Sequence, residues 1–382
     1  MQVVQLNLQP HFGGGEVYTA FLCRALSQLG VSTRLLVHPQ AAFWSRLALP
    51  ADTTRVAVAG TQAVAAALGE TAGWLIGHGP LPPAAVAAAK SRGWLVTAIA
   101  HMPVQDRNPA AFAGHDMVFA VSGWVQDGLR AAGLPAWPAP LYGVAEIGRA
   151  AGPGDIVRTS SFEWDRRKLR DRLLGWLEPA VAPLLARPHY RRRPGLTLGI
   201  VSRLTPIKQF PALFNILAPV IAAAPDVHLE IFGSGGYASV RDLRRALAPL
   251  AGRSRFWGHQ GNVAAVYGGI DYLLTGLPEK EALGLNVIEA QACGTPVLAP
   301  AAPPFTETVA DGLTGFLYRD PRQDGGADFA RLLAELQALP QPPDPRQAPE
   351  HLARFSFAAF AARLRPVVDW AGAALRPAPE SP

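Results

Sequence analysis

The sequence predicts an α/β protein made of two open parallel-sheet units in tandem. Three observations predict it. Short apolar runs of strand length recur along the chain, separated by Ala-rich or amphipathic segments of helical period. That alternation stops once, over residues 145–194, and then restarts. The chain has 382 residues, 49% of them hydrophobic and 17% charged, which is enough to bury two cores. Alternating strands and helices dictate a parallel sheet covered on both faces.

The elements follow in order. Residues 3–8 form an apolar strand and His11-Phe12-Gly13-Gly14-Gly15 a turn. Residues 16–29 form a helix, with Val17, Phe21, Leu22, Leu26 and Leu29 on one face and Gly30 closing it. Strands are expected over 34–38, 74–77, 94–99 and 117–121. The break at 145–194 is rich in Arg, Gly and Pro, with a helix candidate at 162–177 and Arg191-Arg192-Arg193 beyond it. The second unit reads as strands at 196–201, 227–232, 272–274 and 296–299, with helices at 210–223, 242–250 and 284–292. The expected domains are 1–146, a connecting segment 147–194, a second domain 195–365 and a C-terminal helix or tail 366–382. Ligands of such sheets sit beyond the carboxyl ends of the strands, so two facing sheets would hold one in the cleft between them.

Composition removes several classes. The hydrophobic share excludes global disorder, and 37 Gly with 36 Pro lack the period of a triple helix. Cys23 and Cys293 cannot staple a chain this long, so a reduced, cytoplasmic setting is expected. The net charge of +6 admits an anionic partner without demanding one. No nucleic-acid recognition motif accompanies the charge, so none is expected as partner. The N-terminus lacks a basic leader, and the apolar stretch 210–224 is interrupted by Pro211, Asn215 and Pro219. It is also shorter than the ~20 residues a membrane span needs.

Three constellations carry chemistry. The run Gly13-Gly14-Gly15 between strand and helix lets backbone N–H groups approach an anion, or is simply a tight turn. It is not a dinucleotide fingerprint, because Tyr18 stands where the last glycine belongs and no acid ends the second strand. Next, Arg203 and Lys208 follow the 196–201 strand. They can converge on a diphosphate and stabilise it as a leaving group, or remain solvated loop cations. Lys stands only at Lys90, Lys168, Lys208 and Lys280 in this Arg-rich chain, so a Lys here points to a needed point charge. Last, Glu281 and Glu289 lie eight positions apart, one in a loop and one in the following helix. A carboxylate among Val287, Ile288 and Ala292 is costly unless it accepts hydrogen bonds, which ribose hydroxyls would supply. The amides of Gly284, Leu285 and Asn286 can hold phosphates. The bland readings are an exposed loop acid and a surface helix acid.

Here the chain resembles the retaining GT-B glycosyltransferases of glycosyltransferase family 4. Glu281 to Glu289 fits their E-x7-E pattern, residues 289–297 their EA-x-A-x-G-x-P-V segment, and 307–317 their E-x-V-x-D-G-x-x-G-F-L segment. Gly13 to Glu16, Val121-Ser122, Gly143-Val144, Arg203 and Lys208 add to the likeness, which spans about 1–145 and 195–320. The resemblance implies two Rossmann-like domains facing each other across a cleft, and a metal-independent transfer from a nucleotide-diphosphate sugar with no cofactor. The acceptor would be a glycan, lipid or small molecule, as in cell-envelope or polysaccharide synthesis. It implies that Arg203 and Lys208 bind the donor diphosphate, Glu289 the ribose and Glu281 the donor sugar. Gly14 and Gly15 would approach the donor phosphate or acceptor, and His101 would stand beside the reacting sugar. Departures are Ala282-Leu283-Gly284 for Gly-Phe-Gly, Gln209 for Gly, and Thr275-Gly276 where Ser is common. A second acid, Glu279, stands close to Glu281. No D-x-D of the metal-dependent enzymes stands at a cleft. The alternatives are a non-catalytic sugar-nucleotide-binding protein or a sugar-nucleotide epimerase of the same fold. The segment 162–193, with Arg166-Arg167-Lys168, has no counterpart in the family core. It is expected either to touch an anionic membrane at the inner face or to present a solvated basic surface.

Overall fold

The computed structural model describes residues 1–69, 71–104, 108–147, 152, 155–164, 169–181 and 188–376. Two compact units emerge. One comprises residues 1–145 together with the chain from Ala353 onward, the other residues 146–352.

The first unit holds β1 (Val3–Asn7), β2 (Thr33–Val37), β3 (Thr53–Ala57), β4 (Trp74–Gly77), β5 (Leu95–Ala100) and β6 (Met117–Ala120). They form one parallel sheet in the order β3-β2-β1-β4-β5-β6. The second unit holds β7 (Leu196–Val201), β8 (Val227–Phe232), β9 (Ser254–Gly258), β10 (Tyr272–Leu274), β11 (Val297–Pro300) and β12 (Gly315–Tyr318). Their order, again all parallel, is β12-β11-β10-β7-β8-β9. Counted from its own first strand, each sheet therefore has the order 3-2-1-4-5-6 of the doubly wound fold. The order reverses between β1 and β4 in one unit and between β7 and β10 in the other. Ligand crevices form outside the strands' carboxyl ends at such points.

Side-chain alternation builds the second core on both faces of its sheet. Leu198, Ile200, Leu229 and Ile231 join Phe210, Leu213 and Phe214 of the helix Phe210–Ala223. Phe232, Leu273 and Val297 join Trp257, Tyr267 and Val287 on the opposite face. Each fully buried side chain of this size contributes about 1.5–3 kcal/mol.

Strands β4, β7, β8 and β10 and the helix Phe210–Ala223 lie where the sequence predicts them. β3, β9 and β12 are edge strands that the sequence does not predict; β3 (TTRVA) leaves most of its residues exposed and β9 (SRFWG) opens on polar residues, so neither of these two reads as an apolar run, while β12 (GFLY) is only four residues long. The helix expected over 242–250 is Tyr237–Ala246, followed by a short turn Ala248–Leu250.

The connecting segment and the C-terminus correct the expected domains. Residues 147–194 group with the second unit, to which Thr159 N–H and Trp257 C=O tie them at 2.9 Å. The helix expected at 162–177 is Leu169–Val181, and Trp164 lies outside it, its ring stacked on Phe162. Arg166-Arg167-Lys168 and the tail 377–382 lie outside the described residues. The helix Phe357–Ala374 belongs to the first unit, although its first half was assigned to the second domain. Phe360, Ala361, Leu364, Val367 and Ala371 form its buried stripe. Phe360 packs on Tyr18 at 5.5 Å between ring centroids, and Trp370 on Phe119 at 6.4 Å. Among the described residues, no helix is long and apolar enough to cross a membrane.

Candidate functional site

The second unit gathers its chemistry at the β7/β10 reversal. After β7 the chain turns through Pro206–Lys208, and Gln209 takes a left-handed conformation (φ 53°) before the next helix. This turn brings Lys208 against the loop after β10. A Cβ at Gly276 would lie 2.4 Å from the Lys208 carbonyl oxygen, so only glycine lets the two loops touch. Lys208 Nζ then pairs with Glu281 Oε2, and both side chains are mostly covered. The neighbouring Glu279 pairs instead with Arg322. Asn286 Nδ2 donates to the Val201 carbonyl at 3.1 Å, fastening the helix Leu285–Ala292 to the end of β7. Gly284 precedes that helix at φ 79°, and the first-turn N–H groups of Leu285 and Asn286 have no intrahelical acceptor.

Glu289 is half-buried on this helix and its Oε2 accepts from the Tyr267 hydroxyl at 3.1 Å. Burial raises its carboxyl to about 7, and the Tyr267 hydrogen bond opposes that rise. The same surroundings push the Tyr267 hydroxyl well up and the Cys293 thiol to about 11. A carboxyl poised near neutrality at a strand-end crevice marks a functional site more often than a surface helix.

Arg203 is placed differently. Its Nη2 lies 3.3 Å from Glu163 Oε2, and Glu163 Oε1 accepts from Ser234 Oγ at 2.8 Å. Gly233 and Gly235 bring this loop close, since a Cβ on either would fall within about 2.0 Å of the Ser202 or Leu204 carbonyl oxygen. Arg203 and Lys208 do not share a carboxylate here. Each cation has its own carboxylate, one from the connecting segment and one from the loop after β10.

The first unit places a polar network at the β1/β4 reversal. Gln5 and Asn7 alternate with Val4 and Leu6 along β1. The helix Gly14–Gln28 lies against them: Asn7 Nδ2 donates to Glu16 Oε1 at 3.2 Å and Thr19 Oγ1 at 3.0 Å. His78 follows β4, and its Nε2 lies 2.8 Å from Gln5 Oε1. His101 follows β5, and its Nε2 lies 3.1 Å from His78 Nδ1, with the two rings stacked at 5.3 Å. Tyr18 meets His101 edge-on at 4.9 Å and donates to the Leu141 carbonyl at 2.8 Å. Burial lowers His101 to about 4 and holds His78 well below the ordinary range, with His101 adding to the latter. Both rings are therefore neutral near pH 7. Gly14 and Gly15 are not turn residues but the first residues of the helix, with Gly13 as its extended N-cap. A Cβ on Gly15 would meet nothing within 4 Å.

The structure thus joins Lys208 to Glu281 and fastens Asn286 beside them, sets Glu289 on Tyr267, and pairs Arg203 elsewhere. His101, Gly14 and Gly15 belong to the other unit. Sequence reasoning missed Gln5, His78, Glu163 and Tyr267. Two signals were available: polar residues at alternate positions of an apolar strand, and a His directly after each of two strands.

Residues 195–338 match the family model described as glycosyl transferases group 1. Among curated relatives, a D-inositol 3-phosphate glycosyltransferase of Mycolicibacterium gilvum is 33% identical over 169 residues, covering 42% of this chain and 36% of that one. A GDP-mannose-dependent monoacylated alpha-(1-6)-phosphatidylinositol monomannoside mannosyltransferase of Corynebacterium glutamicum is 36% identical over 122 residues, covering 29% and 32%. The chain spans under half the length of these relatives. Among solved structures, Anabaena HepE in complex with UDP and glucose superposes with a TM-score of 0.69 at 15% identity, covering 97% of this chain and 100% of that one. The chain thus has the two-domain α/β architecture of GT-B glycosyltransferases, and its residues 195–338 match the glycosyl transferases group 1 model.

Proposed function

We propose that this protein is a retaining glycosyltransferase that moves a sugar from a nucleoside-diphosphate sugar to an acceptor without a metal ion. The carrying observation is the Lys208–Glu281 pair at the β7/β10 reversal, inside the domain that matches the glycosyl transferases group 1 model.

As the bond to the leaving diphosphate breaks, negative charge grows on its oxygens. Lys208, Arg203 and the free amides of Leu285 and Asn286 meet that charge, which is stabilisation confined largely to the transition state. Glu289 accepts the ribose hydroxyls, oriented by Tyr267. Glu281 accepts from the donor sugar, and its pairing with Lys208 couples sugar position to diphosphate position. Gly14 and Gly15 leave backbone open at the first unit's helix N-terminus for a phosphate or acceptor. His101, neutral, serves the sugar as a hydrogen-bond partner. The configuration at the sugar is kept by front-face departure and attack, so no covalent nucleophile is assigned. Support for the donor class comes from HepE, solved with UDP, and from the GDP-mannose-dependent relative. The acceptor is a glycan, lipid or small molecule.

The test is turnover. UDP-, GDP- and ADP-sugars are supplied with candidate acceptors, and free nucleoside diphosphate and the product's anomeric configuration are measured. Release that requires an acceptor and persists in chelator supports the reading. Binding without release makes the protein a sugar-nucleotide binder, and an inverted product overturns retention.

The same reading includes a peripheral contact with anionic membrane. Leu169, Leu173 and Trp176 are 65%, 54% and 76% exposed and recur at helical spacing on Leu169–Val181. Gly175 of this helix faces Trp164, whose ring stacks on Phe162, and Phe162 stacks on Tyr237. Beside them Arg241, Arg244 and Arg245 line a cavity of about 420 Å³ with Phe162 and Tyr237. An exposed apolar stripe on a unit that also carries these arginines fits a negatively charged bilayer surface.

A further inference from the structure

We infer that Gln5 and His78 are positioning residues for His101: a hydrogen-bond chain from Gln5 through His78 fixes His101 as its Nε2–H tautomer and leaves Nδ1 as the ring's only acceptor. The inference rests on the proposed role of His101 beside the donor sugar, and it adds which atom of that ring does the work.

The assignment follows from counting protons. Gln5 Nε2 lies 3.3 Å from the Cys23 sulfur, so the amide turns its oxygen toward His78, 2.8 Å from Nε2. An amide oxygen only accepts, so His78 Nε2 carries the ring proton. A neutral His78 then has a bare Nδ1 that needs a donor. Two atoms stand 3.1 Å from it, Thr19 Oγ1 and His101 Nε2. The Thr19 hydroxyl has one proton and gives it to the Gly15 carbonyl at 2.8 Å, while accepting from Asn7 Nδ2 at 3.0 Å. The donor to His78 is therefore His101 Nε2–H, and the lone pair of His101 is on Nδ1.

The surroundings disfavour a charged ring. A second proton on either ring would put a charge into a site whose burial already depresses both. The stacking of the rings, 14° apart, holds the bond's direction, and Tyr18 closes one edge of His101 at 4.9 Å. Consequently His101 accepts a hydrogen bond, as from a sugar hydroxyl, and does not donate one at Nδ1. A histidine is commonly held in one tautomer by the bond its other nitrogen makes.

The test uses the full chain labelled with 15N-histidine, read by long-range 1H–15N correlation at neutral pH, with and without donor. The expected spectrum shows both His78 and His101 as Nε2–H tautomers. His78→Phe removes the acceptor and is expected to release His101 into a tautomer mixture. It is also expected to lower kcat by about tenfold or more with the donor KM unchanged, the scale of losing a partner that orients a histidine. His78→Asn, whose Oδ1 falls near the lost Nδ1, is expected to restore the single tautomer and most of kcat. An Nδ1–H His101 in the unaltered protein overturns the inference, as does an unchanged tautomer in His78→Phe. If His78→Phe does not fold, the unaltered spectrum and His78→Asn decide. The tautomer is read without turnover, so a correct spectrum from a protein that transfers no sugar sinks the proposed function and leaves the relay standing.

Discussion

The two sheets share one strand order and hold opposite chemistry at their reversal points. Between β1 and β4 lies His78, bonded to Gln5 on one side and His101 on the other, with the Thr19 hydroxyl beside it. Between β7 and β10 lie an ammonium, a carboxylate pair partner and a carboxyl near neutrality, Lys208, Glu281 and Glu289. Topology supplies the crevice and the side chains supply the task. A charged pocket suits a diphosphate leaving group, whereas a neutral one suits hydroxyls, which want direction more than charge.

The sharpest way to break this contrast is Lys208→Ala. Nucleoside diphosphate release is expected to fall about 10²–10³-fold, as when a transition-state donor is removed. Equal release by the variant, measured with saturating donor, removes the leaving-group role.

Glu289 sharpens it next. Glu289→Ala is expected to weaken nucleoside diphosphate binding by roughly 10–100-fold by calorimetry, the worth of about 1.5–3 kcal/mol in bonds to a charged group. The pH dependence has a definite sign. The folded carboxyl titrates at about 7, above its ordinary value of 4.5, so folding favours its protonated form. Its cost to stability is absent below the unfolded value and grows as pH rises through the folded one. Glu289→Gln is therefore expected to be more stable than the unaltered protein at pH 8 by on the order of 1–2 kcal/mol, and equal to it near pH 4. A thermal-unfolding series against pH checks this; a gap that widens toward acid contradicts it. Donor binding should run the other way, strengthening as pH rises through about 7 and the carboxylate forms.

Gly276→Ala probes the loop contact that joins the pair. Its Cβ would collide with the Lys208 carbonyl at 2.4 Å, so a loss of about 1–3 kcal/mol is expected in denaturant unfolding, with weaker donor binding. The smallest effect on stability belongs to Leu173→Asp, within about 0.5 kcal/mol because the side chain is exposed. Its effect appears in sedimentation with anionic vesicles, where the bound fraction should fall; unchanged sedimentation ends the membrane proposal.

What the sequence disclosed follows the same physics. β7, β8 and β10 are central and mostly buried on both faces, so they are rich in apolar residues, although β8 carries His228 and Glu230 between them. β3 and β9 lie at edges, where Arg55 and Arg255 are tolerated, and they leave no such signature. Lys208, Glu281 and Glu289 were legible because charge at a strand end or on an apolar helix face is costly without a reason. Glu163 was not, because its meaning depends on Arg203 and Ser234, tens of residues away and brought close only by glycines that lack a Cβ. For His78 the sequence offers only its place directly after a strand, shared with His101; the register of β1 on β4 is what puts it over Gln5. The helix Phe357–Ala374 shows an apolar stripe, but nothing local says which unit the stripe will cover.

That helix carries a consequence for how the protein is made. The first unit is written on both sides of the second, so the ribosome delivers every residue of the second unit before the first can be completed. Until then Tyr18, which touches both Phe360 and His101, lacks one of its neighbours. The later-written half is therefore the first able to mature, and a chain that stops before Ala353 would emerge with one finished half and one left unsealed next to His101.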